Sequence, residues 1–254
     1  MMRLAYRPFV ALLFAFCGIS SATTGYASDV QVAVAANFTE PAREIATAFR
    51  RATGHNAVLS FGSSGAFYTQ IANGAPFEVF LSADADRPAK AEQDGLAVPR
   101  TRFTYAIGQL VLYSATPGLV DNKGWVLKRG AFAKIAIADP ALAPYGVAAI
   151  ETMTRMGVAN SLASKIVKGT SITQTYQFIS TGAAELGFVA NSQVINQRGG
   201  SRWLVPAKLH APITQQAVLL KTGATDPAAL AFMKYLKSHA AAVIIKRYGY
   251  SVGH

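Results

Sequence analysis

Cysteine and histidine are scarce in this sequence. Its 254 residues contain one cysteine, Cys17, which lies in an N-terminal apolar segment, and four histidines. Once that segment is cleaved the chain has no thiol, so cysteine nucleophiles, thiolate metal ligands and disulfides are excluded. The histidines are scattered over positions 55, 210, 239 and 254, and no motif groups them around a metal or beside a nucleophile.

Acidic residues are also few. The sequence has 13 Asp and Glu residues against 24 Lys and Arg residues, which gives a formal net charge of +11. This balance favours an anionic partner: a nucleic acid, an anionic lipid surface or a small anion. The hydrophobic fraction of 51% is typical of a globular protein. The length suggests two compact lobes, each able to bury its own core.

Long apolar runs are absent except near the N-terminus. That run, Phe9–Ile19, follows Arg3 and Arg7 and precedes small residues that end at Ala27. It is too short to span a bilayer, and its flanks predict a secretory signal peptide over residues 1–27. We therefore expect a soluble periplasmic protein, and this compartment argues against nucleic acid as a partner.

Strands alternate with helices along the rest of the sequence. An apolar, β-branched stretch at Val30–Ala36 predicts a buried strand, and Thr39–Arg51 has apolar residues at helical spacing. The unit repeats before Tyr105–Tyr113, which predicts one long strand, and resumes after it. Short connections between such units favour parallel sheets with helices on both faces.

A second long strand is predicted near the end of the chain, at Thr214–Leu220. Two long strands, one mid-chain and one late, suit a chain that crosses to a second lobe and returns. We therefore predict an α/β fold with two doubly wound lobes joined by two crossover strands and a ligand cleft between them. Residues 28–106 and 214–254 would form one lobe, and residues 107–213 the other.

Four predicted helix starts carry small or hydrogen-bonding residues. They are Asn37, Ser63 with Ser64 in a Gly-Ser-Ser-Gly loop, Tyr145 after Pro144, and Ile172 after Ser171. In doubly wound sheets helix starts lie beyond the carboxyl ends of strands, where free amides and the helix dipole attract anions. A purely structural reading stays open, because Asn37 and Ser171 have the spacing of N-caps and Tyr145 suits a core.

Four sequence blocks resemble one known family. They are VAANFT at 34–39, LSFGSSG at 59–65, GAPFEVFLSAD at 74–84 and KRYGY at 246–250. Together, in this order and spacing, they are similar to the periplasmic molybdate-binding proteins of ABC importers, and the resemblance spans essentially the whole mature chain. It implies a type II periplasmic binding fold that holds one molybdate or tungstate ion between two lobes and delivers it to an inner-membrane permease.

The resemblance also implies which residues bind the ion. In the first lobe they would be Asn37, with the Ala36 peptide beside it, and Ser63, with Ser64 as its neighbour. In the second lobe the backbone amides of Tyr145 and Ile172 would face the same ion. These residues are neutral hydrogen-bond donors, and the only metal expected at the site is molybdenum within the oxyanion.

Two positions depart from the best-known branch of that family. Asn37 stands where that branch has serine, and Ala190 stands where it has a tyrosine hydroxyl. The second difference removes one donor. Tyr145, where that branch has alanine, is a candidate replacement through its own hydroxyl.

The chemistry of the ion agrees with donors alone. Molybdate is a dianion with four acceptor oxygens and no proton to give, so a carboxylate at the site would repel it. A protonated phosphate, in contrast, could donate its O–H to such a carboxylate. None of the four helix starts bears Asp or Glu at its inferred contact position. We predict a monomeric binding protein without a cofactor; the alternatives are a protein for another tetrahedral oxyanion such as sulfate or, more remotely, a serine hydrolase.

Overall fold

The computed structural model describes Met1 and residues 27–252. Apart from Met1 and Ala27, the predicted signal peptide lies outside the described residues.

Ten strands and ten α-helices follow one another along the chain. The strands are β1 (Asp29–Ala35), β2 (Asn56–Gly62), β3 (Val79–Leu81), β4 (Phe103–Gly108), β5 (Leu110–Ser114), β6 (Ile135–Ala138), β7 (Ile166–Gly169), β8 (Leu186–Ala190), β9 (Ser201–Leu204) and β10 (Ile213–Leu219) among the described residues. The helices of the same part of the chain are α1 (Thr39–Thr53), α2 (Ser64–Ala72), α3 (Asp86–Gln93), α4 (Val126–Arg129), α5 (Pro144–Arg155), α6 (Ala159–Leu162), α7 (Ile172–Ser180), α8 (Asn191–Val194), α9 (Pro227–Leu236) and α10 (His239–Arg247).

The strands form two five-stranded sheets. Their orders are β2-β1-β3-β10-β4 and β7-β6-β8-β5-β9. We call the part of the chain built on the first sheet lobe 1 and the part built on the second lobe 2. Two α/β lobes therefore confirm the predicted fold class.

Each sheet contains one reversed strand. Strands β1, β2 and β3 are mutually parallel, whereas β10 is antiparallel to both of its neighbours. In lobe 2 the reversed strand is β5. These two strands depart from the predicted parallel arrangement, because both bring the chain into a lobe from the other lobe.

The first crossing between the lobes takes place at Gln109. Because β4 ends at Gly108 and β5 begins at Leu110, the predicted single strand Tyr105–Tyr113 is two strands in different sheets. Asn191 of lobe 2 fixes the crossing: its backbone N–H donates to the Gln109 carbonyl at 2.9 Å and its Nδ2 to Gln109 Oε1 at 2.8 Å.

The chain passes from one sheet to the other at residues that differ from the predicted lobe boundaries. The expected division between residues 106 and 107 falls inside β4, and β10 begins one residue before the predicted return at 214. The edge strands β7 and β9 have no counterpart in the sequence prediction. Each has only one buried residue, so neither carries a strong apolar pattern.

Alternate residues of β1 pack on opposite faces of the first sheet. Val30, Val32 and Val34 belong to a core cluster with residues of α1, α9 and α10. Ala33, between them, packs with Phe67 of α2 and other residues of the opposite face. The two-residue repeat of a strand thus places helices on both faces.

Apolar packing continues from one lobe to the other. Ala35, Ala36 and Ala83 of lobe 1 belong to the same cluster as the core of lobe 2. Within the described residues no single helix is both long and apolar enough to cross a membrane, and only α9 and α10 meet that test together, as a pair bent by 60°.

Candidate functional site

A small cavity lies between the lobes, at the carboxyl ends of several strands. Lobe 1 contributes Ala35, Ala36, Asn37, Gly62, Ser63, Ser64 and Ala83, and lobe 2 contributes Ala143, Pro144, Tyr145 and Ile172. The space open to the centre of a water-sized sphere is about 10 Å³, close to what one water molecule needs. The cavity therefore suits a compact occupant.

The structure brings all the predicted site residues to this one cavity. Asn37, Ser63, Tyr145 and Ile172 line it, and so do Ala36 and Ser64. The lining residues include no Asp, Glu, Lys, Arg or His. Polar contacts to an occupant therefore have to come from hydroxyls, amides and peptide groups.

The start of α2 supplies two serine hydroxyls. Ser63 is the N-cap, and its Oγ accepts a hydrogen bond from the Ala66 amide at 3.4 Å, so the hydroxyl proton is not used by the cap. Ser64 Oγ accepts from the Ala83 amide at 2.9 Å, which ties the helix start to the segment after β3. The Ser64 amide, in the first turn, has no partner within the helix.

Two helix starts of lobe 2 face the same cavity. Helix α5 begins with Pro144, which has no N–H, so the amide of Tyr145 is the first donor of that helix. Helix α7 begins with Ile172 after the N-cap Ser171, whose Oγ accepts from Gln174 N at 3.2 Å. Both amides lie in a first helical turn, where no intrahelical acceptor is available and the helix dipole is positive.

Asn37 is not the N-cap of α1, and that part of the sequence interpretation is wrong. It lies in a 3₁₀ turn, Ala36–Phe38, and makes no cap hydrogen bond. Its Nδ2 donates to Gln215 Oε1 at 2.8 Å and to Tyr250 Oη at 3.0 Å. Because both side-chain protons are used, the donor that Asn37 has left for an occupant is its backbone amide.

The Asn37 contacts belong to a buried polar network that crosses between the lobes. Gln215 Oε1 also accepts from Tyr105 Oη at 3.0 Å, while Gln215 Nε2 donates to Tyr145 Oη at 3.3 Å. Tyr250 Oη and Ser192 Oγ both donate to the Asn37 carbonyl, at 2.7 and 2.8 Å. We call Asn37, Tyr105, Tyr145, Ser192, Gln215 and Tyr250 the hinge network.

Four members of the hinge network escaped the sequence interpretation, which named Tyr105 only as the start of a predicted strand. Gln215 and Ser192 stand in no recognisable motif, and their partners are 178 and 155 residues away along the chain. Tyr250 stands in the KRYGY block, so the resemblance marked its position but gave it no role. Close packing of Tyr145 Oη and Gln215 Nε2 against Gly108 also requires glycine there, because a Cβ at this position would overlap both atoms.

Burial keeps the tyrosine hydroxyls of the network protonated. It raises the pKa of Tyr250 to about 12, although hydrogen bonds with Ser192 and Asn37 act to lower it. Burial also raises the pKa of Tyr105 and of Tyr145 well above the ordinary value, and the neighbouring Tyr250 adds to both shifts. At neutral pH the network therefore offers hydroxyl donors and no phenolate charge.

The chain belongs to the family of bacterial extracellular solute-binding proteins, whose family model matches residues 30–251. Two relatives are called molybdate-binding protein ModA. The one from Rhodobacter capsulatus is 58% identical over 224 residues, which cover 88% of each chain. The one from Azotobacter vinelandii is 52% identical over 234 residues, covering 91% of this chain and 93% of the relative.

A solved structure agrees with these relatives. The periplasmic molybdate-binding protein of Azotobacter vinelandii matches with a TM-score of 0.86 and 44% identity, covering 89% of this chain and 100% of that one. The resemblance found in the sequence is thereby confirmed. These relatives are binding proteins and not enzymes, which also confirms the prediction against a hydrolase. Within residues 27–252 no group of three or more His, Cys, Asp or Glu could hold a metal ion.

The raised pKa of Tyr250 predicts a loss of stability at high pH. The folded state keeps the proton up to about pH 12, whereas an unfolded tyrosine releases it near pH 10. The stabilisation is therefore complete below about pH 10 and is lost as the pH rises towards 12, at up to about 1.4 kcal/mol per pH unit. We expect the free energy of unfolding in urea, measured from about pH 9 to about pH 11.5, to fall less steeply in Tyr250→Phe than in the unmodified protein. Equal slopes would contradict the assignment.

Proposed function

We propose that this protein is the periplasmic solute-binding component of an ABC importer for molybdate, and that it also accepts tungstate. The ion would bind in the cavity between the lobes and be delivered to an inner-membrane permease. The observation that carries the proposal is a cavity between four helix starts with no charged lining residue. The 58% identity to a molybdate-binding protein supports the same ligand.

Each of the six predicted site residues has a proposed role. In lobe 1 the Ser63 hydroxyl and the amides of Asn37 and Ser64 donate to the ion, with the Ala36 peptide beside them. In lobe 2 the amides of Tyr145 and Ile172 donate from the opposite side. Donors from two lobes surround a tetrahedral ion only when the lobes are closed, so binding favours the closed form.

Selectivity follows from charge and from size. A monoprotonated phosphate has an O–H that needs an acceptor, and the lining residues carry no carboxylate to receive it. Sulfate is a fully ionised dianion like molybdate, so only cavity dimensions distinguish the two. A sulfate-binding protein is accordingly the second candidate. Either function requires a periplasmic location, which agrees with the predicted signal peptide, and neither requires a cofactor or an oligomer.

Titration calorimetry against an oxyanion panel tests the ligand. We expect one molybdate or tungstate ion to bind per chain, and much more tightly than sulfate or phosphate. Binding only to the folded protein should add about 2.7 kcal/mol to its stability at a hundredfold excess over the dissociation constant. Sulfate binding as tight as molybdate binding would assign the protein to the second candidate.

Ser63→Ala tests the serine donor. A hydrogen bond to a charged group contributes about 1.5 to 3 kcal/mol, so molybdate affinity should fall roughly tenfold to over a hundredfold. Ser238→Ala is the matched control, because Ser238 caps α10 with the same geometry, accepting from Ala241 N at 3.3 Å, and does not line the cavity. Both variants lose an N-cap, so both should show a similar small drop in melting temperature. Only Ser63→Ala should lose affinity for molybdate. Unchanged affinity in Ser63→Ala would remove this hydroxyl from the site.

Tyr145→Phe separates the amide of this residue from its hydroxyl. The family resemblance made the hydroxyl a candidate for the donor missing at Ala190, and this variant tests that role. The Tyr145 hydroxyl lies in the hinge network, where it accepts from Gln215 Nε2 at 3.3 Å, and the backbone amide survives the substitution. We therefore expect a smaller loss of molybdate affinity than in Ser63→Ala. A loss as large as that of Ser63→Ala, measured by the same calorimetry, would place the hydroxyl on the ion.

A further inference from the structure

A second set of contacts joins the lobes beside the cavity. Arg87, in the first turn of α3 in lobe 1, donates from Nη2 to the carbonyl of Ala141 in lobe 2 at 3.0 Å. Next to this contact the Gly65 amide of lobe 1 donates to the carbonyl of Leu142 at 2.9 Å. Two consecutive carbonyls of the segment between β6 and α5 are thus held by lobe 1. We call these two hydrogen bonds the interlobe clasp.

Lobe 1 fixes the arginine before it reaches across. Arg87 Nη1 forms an ion pair with Asp84 Oδ2. The other oxygen of Asp84 accepts from the Arg87 backbone amide at 3.1 Å and from Ser82 Oγ at 2.9 Å. The guanidinium therefore loses little further conformational freedom when it bonds to lobe 2.

The clasp requires a close approach of the two backbones. A Cβ at position 65 would lie 3.1 Å from the Cα and the carbonyl oxygen of Leu142 and 3.1 Å from Arg87 Nη2. That distance is tighter than ordinary van der Waals contact. Glycine at this position therefore permits the contact between the lobes.

The clasp adjoins the ion site without being part of it. Gly65 follows Ser63 and Ser64, and Leu142 precedes Pro144 and Tyr145, yet neither Arg87 nor Leu142 lines the cavity. Arg87 instead lines a neighbouring groove of about 530 Å³, in which Asp84, Asp86 and Glu151 also lie. Its side chain is 22% exposed, so replacing it leaves no large buried void.

We infer that Arg87 is a positioning residue for lobe closure, which raises affinity for the oxyanion through a contact that exists only in the closed form. This inference rests on the proposed function. A contact that stabilises the closed form does so equally for every ion that needs closure, because it has no interaction with the ion itself. Arg87 should therefore change affinity without changing selectivity, and it should act on the dissociation rate more than on the association rate.

The test compares Arg87→Ala with Arg129→Ala. Arg129 pairs with Asp121 at 3.0 Å inside lobe 2, so its substitution removes the same charge and one ion pair without touching the clasp. We expect Arg87→Ala to bind molybdate and tungstate about three- to tenfold more weakly, the partial exposure of the contact keeping the change modest. The ratio of the two affinities should stay that of the unmodified protein, and stopped-flow dissociation should be faster by a similar factor. Arg129→Ala should match the unmodified protein in all three measurements.

A second variant addresses the same contact from the other side. Gly65→Ala should also lower the affinities for molybdate and tungstate by a common factor, since the added methyl group opposes the approach of Leu142. Unchanged affinity in Arg87→Ala would overturn the inference, and so would a changed molybdate to tungstate ratio, which would mean that Arg87 shapes the ion site.

Failure of the proposed function is distinguishable from failure of this inference. If the unmodified protein binds neither ion, the proposed ligand is wrong, and small-angle scattering of the ion-free proteins then tests the clasp directly. A larger mean radius of gyration in Arg87→Ala than in the unmodified protein would support it, and equal radii would overturn it.

Discussion

The buried hydrogen bond from Asn37 Nδ2 to Gln215 Oε1, 2.8 Å long, joins two elements of lobe 1 and anchors the hinge network that continues into lobe 2. Gln215 lies on β10, the strand that returns from lobe 2, and its amide also reaches Tyr105 and Tyr145. The start of the first helix, the return strand and the start of α5 are thereby fixed relative to one another. Each of these polar groups would be costly to bury alone. Among the described residues every buried side-chain nitrogen and oxygen atom has a hydrogen-bond partner.

The hydrogen bonds of the Asn37 side chain determine which donors remain for an occupant of the cavity. An amide whose two protons serve Gln215 and Tyr250 has none left for an occupant, so the donors that remain are mostly peptide amides at helix starts. Peptide amides cannot lose their proton or rotate away, and their positions are set by the helices that carry them. The cavity is therefore preorganised by secondary structure more than by side-chain conformation.

Local patterns in the sequence predicted the features that local physics controls. The apolar run of β1, the cap spacing at Ser171 and the proline before Tyr145 each act within a few residues, and the structure has each of them. Asn37 was misread because its N-cap spacing is a local pattern, whereas its actual partner, Gln215, is 178 residues distant. The reversal of β5 and β10 likewise depends on which lobe the chain comes from, and no short pattern records that. The predicted helix starts already grouped five of the six predicted site residues, and the family resemblance added the Ala36 peptide and related all six to one ion.

The neutrality of the cavity constrains how a bound ion would leave. The residues that line the cavity include no Asp, Glu, His, Lys or Arg, so none of them changes charge near neutral pH. A modest change of pH would therefore not lower the affinity of the site for the ion. Salt also screens such a buried, uncharged shell poorly. Separation of the lobes would divide the donors into two incomplete sets, so release of a bound ion would require the two lobes to move apart.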